Sequence, residues 1–168
     1  MMSLRTYTVF PGQFVITSVP TLISTVLGSC VSVCLWDKVT KIGGMNHYLL
    51  PGTQEDDASN SDRGITAIPL LIDSLLNRKV FSGNLEAKIF GGCNSLYRTN
   101  DRYKVGERNV AIALAMLQEY NIPVVAQHVG GAYGRKIVFN TATGKVRMRL
   151  LGKTASEINE EINKGFGY

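Results

Sequence analysis

Histidine, cysteine and tryptophan are scarce in this chain, and each scarcity narrows what it can do. The 168 residues hold one tryptophan, two histidines (His47 and His128) and three cysteines (Cys30, Cys34 and Cys93). An odd number of cysteines does not close into a disulfide framework, and with no export signal it reads as free thiols in a reducing cytoplasm. Nor do the cysteines suit a metal. Cys30 and Cys34 share a strand face but stand ~13 Å apart at ~3.3 Å per residue, too far to hold one ion at Zn–S distances of ~2.3 Å. His128, inside VVAQHVGG, has no obvious partner, so neither a metal site nor a cofactor is expected. No run of eighteen apolar residues exists to span a membrane. The opening MMSLRTYTVF lacks the apolar core and small-residue cleavage site of a signal peptide, and a cytoplasmic location is expected. The net charge of +5 suits acidic partners in general and is too weak to argue for nucleic acid.

The segments that are present alternate between the two structural periods. YTVF, QFVIT and TLISTVL, separated by Pro11-Gly12 and Pro20, read as strands. Ile65, Ile68, Ile72 and Leu75 form one helical stripe, with Pro69 tolerable only near the helix start. Leu85 to Phe90 is a strand ending at Gly91-Gly92. A second helix is predicted from about Gly106 to Tyr120, closed by Asn121-Ile122-Pro123. Val124–Val129 is a strand, and Lys136–Asn140 with Lys145–Leu150 is a hairpin. Gly52–Arg63 and Ser95–Lys104 are polar loops, and Ser156–Asn163 is a short terminal helix. The expected fold is α/β: mixed, largely antiparallel sheets packed with two main helices in a layered sandwich. Residues 1–168 are expected to form one domain, the last ~15 residues being a peripheral tail or short helix.

The centre of the chain is the stretch Leu27–Pro51, LGSCVSVCLWDKVTKIGGMNHYLLP. Cys30–Trp36 is rich in β-branched and aromatic residues and apolar on both faces (Val31, Val33 and Leu35 against Cys34 and Trp36), as in a strand covered on both sides. Ile42–Leu50 returns antiparallel after a four-residue loop, Asp37–Thr40. With Trp36 paired to Lys41, Cys30 falls opposite His47, where opposed Cβ atoms are ~4.5–5.5 Å apart. A bulge at Gly43-Gly44 would slip the register and separate them. A thiol beside an imidazole is a nucleophile beside its base. A free thiol has a pKa of ~8.5, which an adjacent imidazolium lowers to ~3.5–7.5. Gly28 leaves room for a substrate, and the N–H groups at Ser29–Cys30 suit an oxyanion. The residues thus point to a Cys–His hydrolase. Gly130–Lys136 resembles a phosphate loop, but such loops open onto a helix N-terminus and this one enters the strand IVFN, so it reads as a turn.

GSCVSVCLWD followed by KIGGMNHYLLP closely resembles the CheD family, the chemoreceptor glutamine deamidases of bacterial and archaeal chemotaxis. The resemblance continues through TAIPLLIDSLL, NLEAKIFGG, VGERNV, IPVVAQHVGG and GRKIVFNTATGKV, up to about Leu151. It implies hydrolysis of selected glutamine side chains of methyl-accepting chemotaxis receptors to glutamate and ammonia, with Cys30 as nucleophile and His47 as acid and base. The family pattern places a threonine hydroxyl six residues before the cysteine. That position is Ser24 here, with Thr25 next to it, and the two point to opposite faces of a strand. Ser24 is taken as the orienting hydroxyl. The resemblance also implies a partner, the CheC phosphatase of phosphorylated CheY, bound at the active face. Cys93 takes a place where the family often has a small residue, which packing explains. Arg98, Arg102, Lys104, Arg108, Arg135 and Lys136 are either solvated or in contact with a partner.

Two other readings use the same residues. A protein acting mainly by docking to receptors and to CheC would survive loss of the thiol. A transglutaminase would let an amine intercept the thioester in place of water.

Overall fold

The computed structural model describes residues 3–94 and 104–152. The predicted loop Ser95–Lys104 lies almost wholly outside these residues, as do Arg98, Arg102 and the predicted helix Ser156–Asn163.

The described chain runs β1 (Arg5–Thr8), β2 (Phe14–Thr17), β3 (Thr21–Leu27), β4 (Val31–Asp37), β5 (Gly43–Asn46), α1 (Gly64–Leu76), β6 (Leu85–Gly91), α2 (Val105–Glu119), β7 (Val124–Val129), β8 (Arg135–Asn140) and β9 (Val146–Leu150). The strands form two sheets. One has four strands in the order β1-β3-β8-β9, the other five in the order β2-β5-β4-β6-β7. Only β1 with β3 and β6 with β7 pair in parallel; the other neighbours are antiparallel. The fold is the expected α/β layered sandwich.

Strand periodicity explains the layers. Successive side chains of a strand point to opposite faces, and in β4 the two sets enter two different cores. Val31, Val33 and Leu35 pack with Ala67, Ile68, Leu71, Ile72 and Leu75 of α1 and with Ala113 and Leu117 of α2. Cys34 and Trp36 pack with Met45 and Phe90 of their own sheet and with Ile23, Leu27, Ile137, Phe139 and Val146 of the four-stranded sheet. The helices therefore cover one face of the five-stranded sheet and the four-stranded sheet covers the other, with β4 central. The first turn of α1 has no side-chain cap. Its leading N–H groups go to the carbonyls of Leu50 and Pro51, from Gly64 at 2.8 Å and from Ile65 at 3.0 Å. The segment just after His47 thus serves as the helix cap.

The β4–β5 hairpin departs from the predicted pairing. Its loop holds four residues, but they are Lys38–Lys41: Asp37 N donates to Ile42 O at 2.8 Å, and Trp36 pairs with Gly43, not Lys41. Asp37 fixes this choice. Its carboxylate accepts from the N–H groups of Val39 and Thr40 and from the Thr40 hydroxyl, an Asx-type turn, while Lys41 takes the left-handed conformation at φ 64°. Moving the loop by one residue moves every cross-strand partner by two. Faces are preserved, because the side-chain period is also two. The glycines that threatened the register pair regularly with Trp36 and Leu35. The returning strand is shorter than Ile42–Leu50, ending at Asn46, with Tyr48 rejoining Val31 as an isolated bridge.

At the far side of β4, Gly91 (φ 110°) lies against the backbone of Cys30. A Cβ there would run into the Cys30 carbonyl oxygen. Gly91→Ala is expected to lower stability by at least ~2 kcal/mol, since it adds left-handed strain to a backbone clash. Chemical denaturation measures it, and a loss under ~0.5 kcal/mol would mean the close approach is not tight.

Candidate active site

Three strand ends meet around Cys30 and His47. Leu27 closes β3, Gly28 and Ser29 turn the chain, and Cys30 stands just before β4, half-buried and packed against the core between the two sheets. His47 stands just past β5 and is only 3% exposed. The register puts Leu49 across from Cys30 and Ser32 across from His47, on the pairing of Val31 with Tyr48. Cys30 and His47 are thus diagonal neighbours on the face turned to the four-stranded sheet, a relation that brings residues within ~7–8 Å and long side chains into reach.

The hydroxyl beside the imidazole belongs to Thr25. Thr25 Oγ1 lies 2.7 Å from His47 Nδ1 and donates to the Val9 carbonyl at 2.6 Å. Ser24 points the other way, its Oγ 3.5 Å from Thr8 Oγ1 near the surface. In β3, Ile23, Thr25 and Leu27 are buried toward the facing sheet while Ser24 and Val26 face outward. The spacing of six from the cysteine thus leads to the wrong face in this chain, and a spacing of five leads to the imidazole.

This arrangement selects a tautomer. The single proton of the Thr25 hydroxyl goes to Val9 O, so Oγ1 meets Nδ1 as an acceptor and Nδ1 must carry hydrogen. The lone pair is left on Nε2. Val9 is itself tied down, its N–H donating to Ser24 O at 2.9 Å. The His47 backbone is pinned on both sides, with Gly12 N donating to His47 O at 2.8 Å and His47 N to Gln13 O at 3.1 Å. The turn between β1 and β2 therefore holds the histidine, a role that falls on backbone groups and leaves no motif in the sequence.

The electrostatics favour an uncharged pair. Burial pushes the Cys30 thiol above its ordinary value; its own backbone N–H against the sulfur pulls the other way, and Cys93 nearby pushes up again. Burial likewise lowers His47, against a smaller upward pull from the Val9 carbonyl. The expectation that an imidazolium would draw the thiol down is thus reversed: at neutral pH the sulfur keeps its proton and the imidazole is a free base. Activity that needs neutral His47 should fall on the acid side with a midpoint below the ordinary imidazole value of 6.5. A kcat/KM profile measures this, and an acid limb centred above 6.5 would contradict it.

One side of Cys30 is open. A Cβ added at Gly28, Gly130 or Gly131 would meet nothing within 4 Å. The Gly130–Gly134 turn is drawn to this place by Asn94 N donating to Gly131 O and by Cys93 N donating to Gly28 O. Arg135 secures the turn from beneath. It is 1% exposed, and its guanidinium donates to the carbonyls of His128, Gly130 and Tyr133 and meets His128 Nδ1 at 2.6 Å. Arg135 is therefore a structural cation, not a docking residue, and His128 has its partner there. Lys136 is exposed, with Arg147 and Arg149 on the same outer sheet face. Cys34 is fully buried, and burial raises its thiol out of the reactive range.

Comparison with known proteins places the chain. Over 150 residues it is 41% identical to a Trichlorobacter lovleyi protein named Probable chemoreceptor glutamine deamidase CheD, spanning 89% of this chain and 91% of the relative. The chain belongs to the CheD family. A match to that family, described as CheD chemotactic sensory transduction, covers residues 49–150. That match begins after Cys30 and His47, but an alignment of 150 residues in a chain of 168 starts no later than residue 19 and so takes in both. A Shewanella oneidensis CheD 1, bearing the same kind of name, is 45% identical over 147 residues, covering 85% of this chain and 71% of the relative. Among solved structures, Bacillus licheniformis hypothetical protein YfiH aligns at a TM-score of 0.46 and 15% identity, over 71% of this chain and 49% of that one. Among the described residues no helix is long and apolar enough to cross a membrane.

Proposed function

We propose that this chain hydrolyses glutamine side-chain amides of chemoreceptors to glutamate, through a thioester on Cys30. The observation that carries the reading is the Val9–Thr25–His47 chain of hydrogen bonds, which turns Nε2 into a base on the face that bears Cys30. The names borne by the relatives supply the substrate class.

The steps follow from the uncharged pair. His47 Nε2 takes the thiol proton as the sulfur attacks the carboxamide carbon, whose oxygen becomes an oxyanion. The imidazolium then gives its proton to the amide nitrogen, which leaves as ammonia only when protonated. Nδ1–H stays on Thr25 throughout, so the ring does not turn between taking a proton and giving it. Water, deprotonated by the same Nε2, then cleaves the thioester to glutamate and restores the thiol.

Receptor cytoplasmic helices rich in glutamate would be drawn to Lys136, Arg147 and Arg149, since Lys136 pairs with Val26, two residues before Gly28, and lies at the same end of the sheet as Cys30. The family resemblance adds a CheC-type phosphatase as a second partner at this end and a cytoplasmic place of work. The test is to incubate the chain with receptor cytoplasmic fragments and score each glutamine converted to glutamate by mass spectrometry. Conversion is expected, with KM rising several-fold between low and high salt and in Lys136→Glu, and kcat nearly constant. No conversion of any glutamine would overturn the reading, and a salt-independent KM would remove the electrostatic part.

A further inference from the structure

Asn109 of α2 is fully buried, yet none of the steps above uses it. Its Nδ2 donates to the carbonyl of Ser29 at 2.9 Å and to that of Leu49 at 2.9 Å. One residue precedes the nucleophile and the other lies two beyond the histidine. Two carbonyls in reach of one side-chain amide can be satisfied only by its NH2 end, which settles the amide's orientation. The Asn109 backbone carbonyl accepts from the Tyr48 hydroxyl at 2.5 Å, so the helix is also fastened to the residue after His47. Gly106, one turn earlier, makes the reach possible: a Cβ there would stand 2.5 Å from the carbonyl oxygens of Gly92 and Cys93. The VGERNV block thus brings a helix close with its glycine and uses its asparagine to join two loops.

The peptide group between Ser29 and Cys30 has two ends. Its carbonyl accepts from Asn109, and its N–H is the Cys30 N–H, which lies outside the β4 ladder beginning at Val31. A hydrogen bond to the carbonyl of a peptide polarises that peptide and makes its N–H a stronger donor. Resting on the reading of Cys30 as nucleophile, we propose that Asn109 is a positioning residue that orients and polarises the Ser29–Cys30 peptide so that its N–H holds the oxyanion formed on the substrate amide. An asparagine is suited to this, having two donors on one nitrogen and no charge to desolvate in a buried place.

Alkylation of a thiol by iodoacetamide is a displacement at saturated carbon and generates no oxyanion on a carbonyl, whereas attack on glutamine does. Asn109→Asp, nearly the same shape without the donors, and Asn109→Leu are therefore assayed both ways. Both variants are expected to lose about 10–100-fold in kcat, with KM within twofold and Cys30 alkylated at the wild-type rate. If kcat stays within threefold of wild type in both, or if alkylation falls in step with kcat, the proposal is overturned and Asn109 only holds the fold. The wild-type protein gives a second measurement, independent of whether either variant folds. Through-hydrogen-bond NMR couplings from the Asn109 side-chain amide to the carbonyl carbons of Ser29 and Leu49 are expected, and their absence overturns the proposal. Cys30→Ser keeping full activity would instead remove the underlying reading, whatever Asn109 does.

Discussion

Cys30→Ser is expected to leave the chain folded and to abolish conversion of glutamine to glutamate, a loss of ~10³-fold or more. The size follows from the uncharged resting pair. Burial already holds the thiol above its ordinary value, so the base has to remove a proton during attack, and a serine hydroxyl is far less acidic and less nucleophilic than a thiol. His47→Ala should fall by ~10²–10⁴-fold, because in the proposed mechanism one side chain supplies both the base for sulfur and the acid for the leaving nitrogen. Neither variant should unfold the protein, since Cys30 is half-buried at a strand end and His47 is also held through backbone bonds to Gly12 and Gln13. Receptor binding measured alongside separates catalysis from docking. If deletion of the gene and the Cys30→Ser allele give different chemotactic phenotypes, the chain has a binding role that outlasts its chemistry.

Thr25→Val should cost about 10–100-fold in kcat, while Ser24→Ala changes it by less than twofold. Valine keeps the shape of threonine but removes the acceptor at Nδ1, leaving a buried N–H unpaired at a cost of ~1–3 kcal/mol. The tautomer that presents a lone pair at Nε2 is then no longer held. Thr25→Ser restores the hydroxyl and should recover most of the rate. The Ser24 hydroxyl meets Thr8 Oγ1 on the outer face of the sheet, turned away from the ring. The reverse result, with Ser24→Ala crippled and Thr25→Val active, would mean that the imidazole takes its bond elsewhere during turnover.

Where the sequence misleads, the reason is visible in particular residues. TLISTVL carries two aliphatic residues on each alternation, Ile23 and Leu27 against Leu22 and Val26, so the pattern cannot say whether Ser24 or Thr25 faces inward. Only the facing five-stranded sheet, whose Cys34, Met45 and Phe90 pack with Ile23 and Leu27, decides it. The hairpin loop was legible in length but displaced by one residue, because the Asp37 carboxylate closes the turn from outside. The displacement makes Cys30 and His47 diagonal neighbours in place of directly opposed ones, and keeps them on one face. The α/β layering was readable from β4, whose two apolar faces require two covering layers. The charge of Arg135 suggested a surface contact, yet it is buried and donates to the carbonyls of His128 at the end of β7 and of Gly130 and Tyr133 in the turn that follows. Contacts through backbone atoms, such as Val9 to Thr25 and Leu49 to Asn109, leave no trace in side-chain identity.

The central claim is that Cys30 carries the substrate acyl group, and it can be tested by trapping. The chain is mixed with a glutamine-containing receptor peptide, quenched in acid within a turnover, digested and analysed by mass spectrometry. The account predicts an adduct on the Cys30 peptide whose mass is that of the two components less ammonia. The adduct should be absent from Cys30→Ser and discharged by hydroxylamine as a thioester is. Glutamate forming at full rate with no such adduct, or an adduct carried by Cys93 in place of Cys30, would contradict it.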